Sequence, residues 1–312
     1  MKNKISKTHV RFFSVFMSVL SVMLIISLFV RSSEPVIIEQ EENEKSFEQN
    51  YAIFALQIPE ALDFAGEDVP LQKIHVRESY DREILVNTYW QSQTILLIKR
   101  AHRYFPVIEP ILKQHKVPDD FKYLALIESG FMPRAVSPAG AAGIWQFMRE
   151  TAKEYGLEVS TEVDERYHIE KSTEAACKYL KRAYNKYGSW TLAAASYNAG
   201  MGGIDRQIAR QKENNYYDLL FNEETSRYVF RILAVKQILS SPEEYGFHVK
   251  EEDSYHPIPY KIVEISDSIA NLADFAKEHG ITYRELKDLN PWLRETLLTN
   301  KSKKSYSIKI PK

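Results

Sequence analysis

The carboxylate of Glu128 ends an apolar stripe on a short predicted helix, and it is the first candidate in the sequence for acid–base chemistry. The helix is predicted to start at the capping residues after Pro118 and to end at Gly130. Four residues have the spacing i, i+3, i+4 and i+7 and therefore share one helix face: Phe121, Leu124, Ala125 and Glu128. Burial disfavours the charged form of a carboxylate, so we expect a raised pKa for Glu128. A glutamate that stays protonated near neutral pH can donate a proton to a leaving oxygen, as glycosidase acids do.

Taken alone, this spacing favours a structural role for Glu128. The side chain could extend from the helix end into solvent, or it could pair with an arginine such as Arg134. The residues farther along the chain shift this balance.

Two downstream segments place polar side chains among small residues. In segment 135–148, small residues allow the backbone to approach a bulky ligand closely. Gln146 offers a donor and an acceptor that suit the amide and hydroxyl groups of a sugar. Farther on, an alanine-rich helix capped by Ser189 is predicted to carry Tyr197 and Asn198 at its end.

Together these segments resemble the lytic transglycosylase domain of the soluble-lytic-transglycosylase type, and most closely the membrane-bound lytic murein transglycosylase D group. The resemblance extends from about residue 80 to residue 246, and Arg149 departs from it where this group usually has proline. It depends on Glu128-Ser129 and on residues 143–148 and 196–200, with support from residues 163–166, 172–176 and 224–229. It implies a mainly α fold, with a lysozyme-like helical catalytic domain.

The resemblance also implies a substrate and a mechanism. The substrate is the β-1,4-linked glycan of peptidoglycan, cleaved between N-acetylmuramic acid and N-acetylglucosamine without added water. Glu128 would protonate the glycosidic oxygen and then accept the proton of the muramic C6 hydroxyl as a 1,6-anhydro ring closes. The substrate's acetamido group would assist, so no protein nucleophile is needed. This agrees with the lack of an obvious second carboxylate, since we interpret Asp164 and Glu165 as structural partners near Arg166.

Further site residues follow from the resemblance, as groups that line the sugar subsites or hold the Glu128 carboxyl. They are Ser137, Gln146, Met148, Tyr197, Asn198 and Tyr228. Ser137 could instead be a turn residue before Pro138, and Met148 could be a packing residue. For Tyr228, the tyrosines at 216, 217 and 245 are alternatives.

The last part of the chain has the pattern of a small βααβ unit. Strands are predicted at Tyr260–Ile265 and Tyr306–Ile310, and helices at Ile269–His279 and from the N-cap Thr282 to Leu289. This unit resembles a LysM peptidoglycan-binding module, with Ser266 in place of a common glycine. Whether it binds glycan is left open by the sequence.

The N-terminus has the pattern of a membrane anchor. Phe12–Val30 contains fifteen apolar residues and four serines, follows a cationic stretch and precedes an acidic one. We therefore predict an uncleaved anchor with the rest of the chain on the periplasmic side of the inner membrane; a cleaved signal with secretion to the periplasm is the alternative. The predicted organisation is an anchor at 1–31, an acidic linker at 32–75, the catalytic domain at 76–247 and the LysM-like domain at 257–312.

Composition excludes several other classes of function. A net charge of −1 argues against a nucleic-acid binder. The single cysteine, Cys177, excludes an intramolecular disulfide and is expected to be a small buried residue. The eight histidines show no close pairing along the chain, so no metal or cofactor is predicted. Two rival functions remain: a hydrolase similar to goose-type lysozymes, and a non-enzymatic envelope protein that binds peptidoglycan.

Overall fold

The structure is a computed structural model and describes residues 53–312. Residues 56–312 form one compact unit. The predicted anchor Phe12–Val30 lies outside the described residues. Among residues 53–312, none of the helices has both the length and the apolar character that a membrane crossing needs.

The described part of the chain is mainly helical, as predicted. The helices are α1 (Ile74–Tyr89), α2 (Gln91–Gln114), α3 (Phe121–Ser129), α4 (Arg149–Glu154), α5 (Ile169–Tyr187), α6 (Trp190–Ala199), α7 (Met201–Gln211), α8 (Glu223–Ser240), α9 (Leu272–Glu278) and α10 (Tyr283–Leu289). The strands are β1 (Asp63–Phe64), β2 (Glu67–Asp68), β3 (Tyr260–Ile265) and β4 (Tyr306–Pro311). Each strand pair is antiparallel, and β3 aligns Tyr260 with Pro311 and Ile265 with Tyr306 of β4.

Helix α3 lies in the centre of the helical domain, between α2 and α8. Its apolar stripe is fully buried, with Phe121, Leu124 and Ala125 each at 0% exposure. Gly130 ends the helix at a φ of 57°, a left-handed conformation that favours glycine. The helix begins at the predicted segment after Pro118, with Asp120 at the N-cap position, but the Asp120 side chain does not cap the helix. Its carboxylate instead accepts hydrogen bonds from the Ala65 amide and the Lys236 ammonium, each at 2.7 Å.

The prediction of a tether over residues 32–75 is wrong for its last part. Phe64, Val69 and Leu71 are buried in the main hydrophobic core, so this stretch belongs to the folded domain. Its apolar residues are too few and too close to prolines to give a periodic pattern, which is why the sequence suggests a linker. Glu67 in β2 also reaches the start of α6, where it accepts hydrogen bonds from the Thr191 amide at 2.9 Å and hydroxyl at 2.6 Å.

The C-terminal unit has the predicted strand–helix–helix–strand order. Helix α10 begins with the expected capping box, in which Thr282 and Glu285 bond each other's backbone amides. Helix α9 begins at Leu272, later than predicted. Ile269 instead exchanges two backbone hydrogen bonds with Leu298, at 2.7 and 2.9 Å, and Asn271 caps the helix.

The C-terminal unit packs directly on a loop of the helical domain. The Asp164 amide donates to the Trp292 carbonyl at 2.9 Å, and the Arg294 amide donates to the Glu162 carbonyl at 2.7 Å. Val163 lies in the same apolar cluster as the core of the C-terminal unit. The loop that follows α4 is therefore held from both sides.

Candidate active site

Helix α3 brings Glu128 to helix α8, where the Tyr228 hydroxyl donates a hydrogen bond to Glu128 Oε1. Asn222 caps α8 by accepting from the Thr225 amide at 2.9 Å, which fixes the start of the helix two turns before Tyr228. Tyr228 is buried, whereas Glu128 is half-buried. Glu128 is thus held by Tyr228 and remains partly accessible.

The surroundings of Glu128 favour its protonated form. Burial raises the pKa of Glu128 to about 7 against the opposing effects of the Tyr228 hydrogen bond and the Arg231 charge, and the negative charge of Glu224 raises it further. This agrees with the expectation from the apolar stripe. The alternative pairing with Arg134 is wrong, because Arg134 forms an ion pair with Asp288 at 3.0 Å.

A loop of small residues lies against the end of α3. The Ser129 hydroxyl donates to the Ile144 carbonyl at 3.0 Å, which ties this loop to the residue next to Glu128. Gly143 has a φ of 79°, and a Cβ there would lie 1.9 Å from the Arg166 carbonyl oxygen. The chain can approach Arg166 this closely only with glycine at residue 143.

The charged residues behind this loop are structural, as predicted. Arg166 forms a buried ion pair with Asp164 at 2.7 Å and donates to the Gly140 carbonyl at 2.9 Å. Glu165 accepts from the Glu158 amide at 2.8 Å and pairs with Lys171. These contacts fix the shape of the loop and leave neither carboxylate available as a second catalytic acid.

Tyr197 connects the loop to helix α6. Its hydroxyl donates to the Trp145 carbonyl at 2.8 Å, and its ring packs edge-to-face on Phe147 with centroids 5.9 Å apart. Burial and, next, the charge of Glu128 raise the pKa of Tyr197 well above its usual range. Tyr197 therefore remains a protonated donor beside the acid.

Asn198 positions a carboxylate that the sequence reasoning missed, that of Glu224. The Asn198 amide donates to Glu224 Oε1 at 3.1 Å and its carbonyl accepts from the Thr225 hydroxyl at 2.8 Å. Glu224 precedes Tyr228 by four residues in α8, so the two share a helix face. This i, i+4 relation to Tyr228 was the available signal in the sequence.

The other predicted site residues form no hydrogen bond with Glu128. Gln146 has a φ of 47° and turns its side-chain amide back to the Gly143 carbonyl at 2.7 Å. Ser137 accepts from the Ala141 amide at 3.0 Å, which is the alternative role of a turn residue. Met148 lies just before α4 and is 46% exposed, so it offers an apolar surface rather than a packed one.

Comparison with known protein families identifies the domains of this chain. Residues 105–220 match the family described as the transglycosylase SLT domain. This matched segment contains Glu128, the Gly143–Met148 loop and the Tyr197-Asn198 pair. The chain contains an SLT domain. Residues 261–312 match the soluble lytic transglycosylase C-terminal LysM-like domain, so a LysM-like domain follows it.

Curated proteins are similar to this chain over part of their length. The membrane-bound lytic murein transglycosylase D of Escherichia coli (strain K12) is 29% identical over 243 residues, which cover 75% of this chain and 52% of the relative. The membrane-bound lytic murein transglycosylase F of Idiomarina loihiensis is 29% identical over 156 residues, covering 46% of this chain and 32% of the relative. The chain thus spans about half the length of transglycosylase D and about a third of the length of transglycosylase F.

A solved structure is also similar. The 70 kDa soluble lytic transglycosylase of Escherichia coli matches with a TM-score of 0.40 and 17% identity, covering 58% of this chain and 32% of that one.

Outside the matched segment, ion pairs of a buried glutamate join helix α1 to helix α8. Glu83 of α1 is 1% exposed, accepts a hydrogen bond from Arg227 Nε at 2.6 Å, and lies 3.8 Å from Arg231 Nε. Both arginines flank Tyr228 in α8, so Glu83 helps to fix the helix that presents this tyrosine. No local pattern in the sequence predicts a partner 144 residues away.

Among the described residues, one group of side chains gathers closely enough to hold a metal ion. The ligand atoms of His102, Glu251 and His256 lie within 4.8 Å of one another, although the chain separates them widely. They share no hydrogen bond with Glu128, and His102 forms an ion pair with Glu251 at 3.0 Å. Cys177 is buried as predicted, and burial raises the pKa of its thiol to about 12.

Proposed function

We propose that this protein is a lytic transglycosylase that cleaves the β-1,4 bond between N-acetylmuramic acid and N-acetylglucosamine in peptidoglycan, leaving 1,6-anhydro-N-acetylmuramic acid ends. The observation that carries the proposal is the carboxyl of Glu128 in an SLT domain, where Tyr228 holds it and burial raises its pKa to about 7. The names of the curated relatives, membrane-bound lytic murein transglycosylases D and F, support the same substrate class.

In the first step Glu128 acts as a general acid. The Tyr228 hydroxyl donates to Oε1, so the proton of the neutral carboxyl belongs on Oε2, where it is available to the glycosidic oxygen. Transfer of this proton accompanies cleavage of the bond from C1 to that oxygen. The acetamido oxygen of the muramic residue stabilises C1, so the protein supplies no nucleophile.

In the second step the same carboxylate acts as a base. It accepts the proton of the muramic C6 hydroxyl while this oxygen bonds to C1 and displaces the acetamido oxygen. Glu128 is thereby returned to its protonated state, and no water is consumed. A carboxyl with a pKa of about 7 suits both directions of transfer near neutral pH.

The remaining site residues are assigned supporting roles. Tyr228 orients the carboxyl, and Tyr197 holds the Gly143–Met148 loop beside it. Asn198 positions Glu224. Gln146, Met148 and Ser137 belong to the same loop region and are proposed to line the sugar subsites, with exposed Met148 against an apolar sugar face.

Product analysis on purified sacculi tests the proposal. We expect wild type to release muropeptides that end in the 1,6-anhydro sugar, each one water lighter than a hydrolytic product. Glu128→Gln should abolish release. The matched control Glu150→Gln, which changes a glutamate that is 80% exposed and pairs with Lys153, should retain it. Equal activity in wild type and Glu128→Gln would contradict the proposal and favour the non-enzymatic alternative.

Glu224 favours a second candidate function, a lysozyme-like hydrolase. Its carboxylate is close enough to raise the pKa of Glu128, so it could activate a water at C1 as the second carboxylate of an inverting mechanism. Reducing ends in place of 1,6-anhydro ends, lost in Glu224→Gln, would establish this function instead.

We also propose a location in the bacterial cell envelope, with peptidoglycan strands as partners of both domains and residues 1–31 as the anchor. The organisation into a catalytic domain that ends at residue 247 and a LysM-like domain at 257–312 is part of this proposal. Fractionation of cells that produce the chain with and without residues 1–31 tests it. We expect the chain with residues 1–31 in the membrane fraction. Equal distribution of the two chains between the membrane and soluble fractions would contradict the anchor.

A further inference from the structure

Two imidazoles and one carboxylate come together where helix α2 meets the segment that joins α8 to β3. His102 belongs to α2, whereas Glu251 and His256 belong to residues 241–259, the connecting segment. The ligand atoms of the three side chains all lie within 4.8 Å of one another. The group shares no residue with the site around Glu128.

The distances within this group are close to those of a zinc site. Zinc binds imidazole nitrogen and carboxylate oxygen at about 2.0–2.2 Å in a tetrahedral arrangement, which places two ligand atoms about 3.4 Å apart. Glu251 Oε1 lies 3.0 Å from His102 Nε2 and 3.9 Å from His256 Nδ1. The two imidazole rings are nearly perpendicular, with centroids 4.9 Å apart. Since Glu251 and His256 are exposed, small rotations of their side chains can bring the three atoms to one ion.

The backbone fixes the protonation pattern of His102. Its Nδ1 lies 3.4 Å from the Tyr255 carbonyl oxygen, which can only accept, so the ring proton belongs on Nδ1. In the neutral ring the lone pair is then on Nε2, which lies 3.0 Å from Glu251 Oε1. Two acceptors this close need a cation, either a second proton on the ring or a metal ion. A histidine whose other nitrogen bonds a backbone carbonyl is the usual form of a metal ligand.

The connecting segment is already held against α2 beside these ligands. The Tyr255 amide donates to the Lys99 carbonyl at 3.2 Å, and Arg103 Nε donates to the His256 carbonyl at 2.9 Å. The charged groups of Lys99 and Arg103 lie over the ring of Tyr255, 5.5 and 5.3 Å from its centre. Binding of a metal ion therefore requires little further ordering of the backbone, which favours affinity.

The types of ligand select the metal. Imidazole suits zinc and the neighbouring transition metals, whereas magnesium and calcium prefer oxygen ligands. Two histidines and a glutamate are an established set of three zinc ligands, with a fourth position for water. The acidic run from Glu251 to Asp253 adds negative charge beside the site.

We propose that His102, Glu251 and His256 bind a zinc ion that holds the connecting segment against helix α2. The ion joins residues on either side of the matched segment 105–220, and it fixes the point at which the chain leaves the helical domain for the LysM-like domain. The sequence gives no sign of this site, because the chain separates His102 widely from its two partners.

A zinc titration tests the site without turnover. Zinc chloride is titrated by calorimetry into the untagged full chain after treatment with a chelator. We expect one zinc ion per chain, bound about a hundredfold or more weakly by His102→Gln and by His256→Gln, since even the loss of a group that supports a ligand costs 10–100-fold. The control His248→Gln changes an exposed histidine of the same segment outside the group and should bind as wild type does. No binding by wild type, or equal weakening in His248→Gln, would overturn the inference.

Limited proteolysis tests whether the ion holds the connecting segment. Lys250 directly precedes Glu251, and its side chain is 76% exposed, so it is accessible to trypsin. Zinc at about 100 times its dissociation constant should slow cleavage after Lys250 about tenfold or more in wild type, because the segment must release the ion in order to open. In His102→Gln the same zinc concentration should leave the rate unchanged. Zinc that binds wild type without slowing this cleavage would contradict the proposed role of the ion.

Discussion

Replacing Glu128 by glutamine should make the protein more stable than wild type at alkaline pH, although it removes the catalytic acid. A buried carboxyl costs free energy when it ionises, because the charged form loses hydration. Glutamine never ionises and still offers Tyr228 an acceptor oxygen. The Glu128→Gln variant therefore escapes a cost that wild type bears in order to keep a proton donor in its site.

The magnitude follows from the shift in the pKa of Glu128, from an ordinary 4.5 to about 7. A difference of roughly 2.5 units at about 1.4 kcal/mol per unit amounts to about 3 kcal/mol. Because the folded-state pKa is raised, the favourable contribution of the protonated group is complete below pH 4.5 and is lost as pH rises through 7. The stability of Glu128→Gln relative to wild type should thus rise by up to about 3 kcal/mol across this interval.

Denaturant unfolding of both proteins at about pH 5 and about pH 8.5 measures this difference. Glu150→Gln is the matched control, since an exposed glutamate should give the same difference from wild type at both pH values. If the difference between Glu128→Gln and wild type is independent of pH, or falls as pH rises, the account of a buried and protonated Glu128 is wrong.

Three further substitutions test the contacts around the site. Tyr228→Phe removes the hydrogen bond that lowers the pKa of Glu128. The alkaline limb of the profile of kcat against pH should therefore move up by about one pH unit. A limb that moves to lower pH would contradict this role of Tyr228. Gly143→Ala places a Cβ 1.9 Å from the Arg166 carbonyl oxygen and should cost about 3 kcal/mol or more of unfolding free energy, whereas a variant as stable as wild type would refute the close approach. Glu67→Gln weakens the carboxylate that holds the first amides of α6, and calorimetry should show a loss of about 1–2 kcal/mol. An unchanged Tm would rule that contact out as a stabilising one.

The parts of the fold that depend on neighbours in sequence could be predicted. The stripe that ends at Glu128 follows from a helical period and a terminal glycine, and the capping box of Thr282 and Glu285 follows from a three-residue spacing. Both strands of the C-terminal sheet were also found. In the stripe and the capping box the partners are at most seven residues apart, whereas the pairing of the two strands joins residues far apart along the chain.

The missed features join residues that are distant along the chain. Glu67 reaches the start of α6, Glu83 pairs with Arg227, and Asp120 binds an amide and a lysine instead of capping its own helix. A carboxylate has no period that identifies a distant partner, so sequence spacing cannot assign it. The same limit applies to His102 and His256, whose proximity only the folded chain creates.

The central claim is that the carboxyl of Glu128 stays protonated near neutral pH, and its titration tests this claim most directly. Carbon-13 NMR of glutamate-labelled protein, with the Glu128→Gln spectrum to assign the resonance, follows this carboxyl through pH. We predict a midpoint of about 7 for Glu128. A midpoint at the ordinary value of 4.5 would contradict the account.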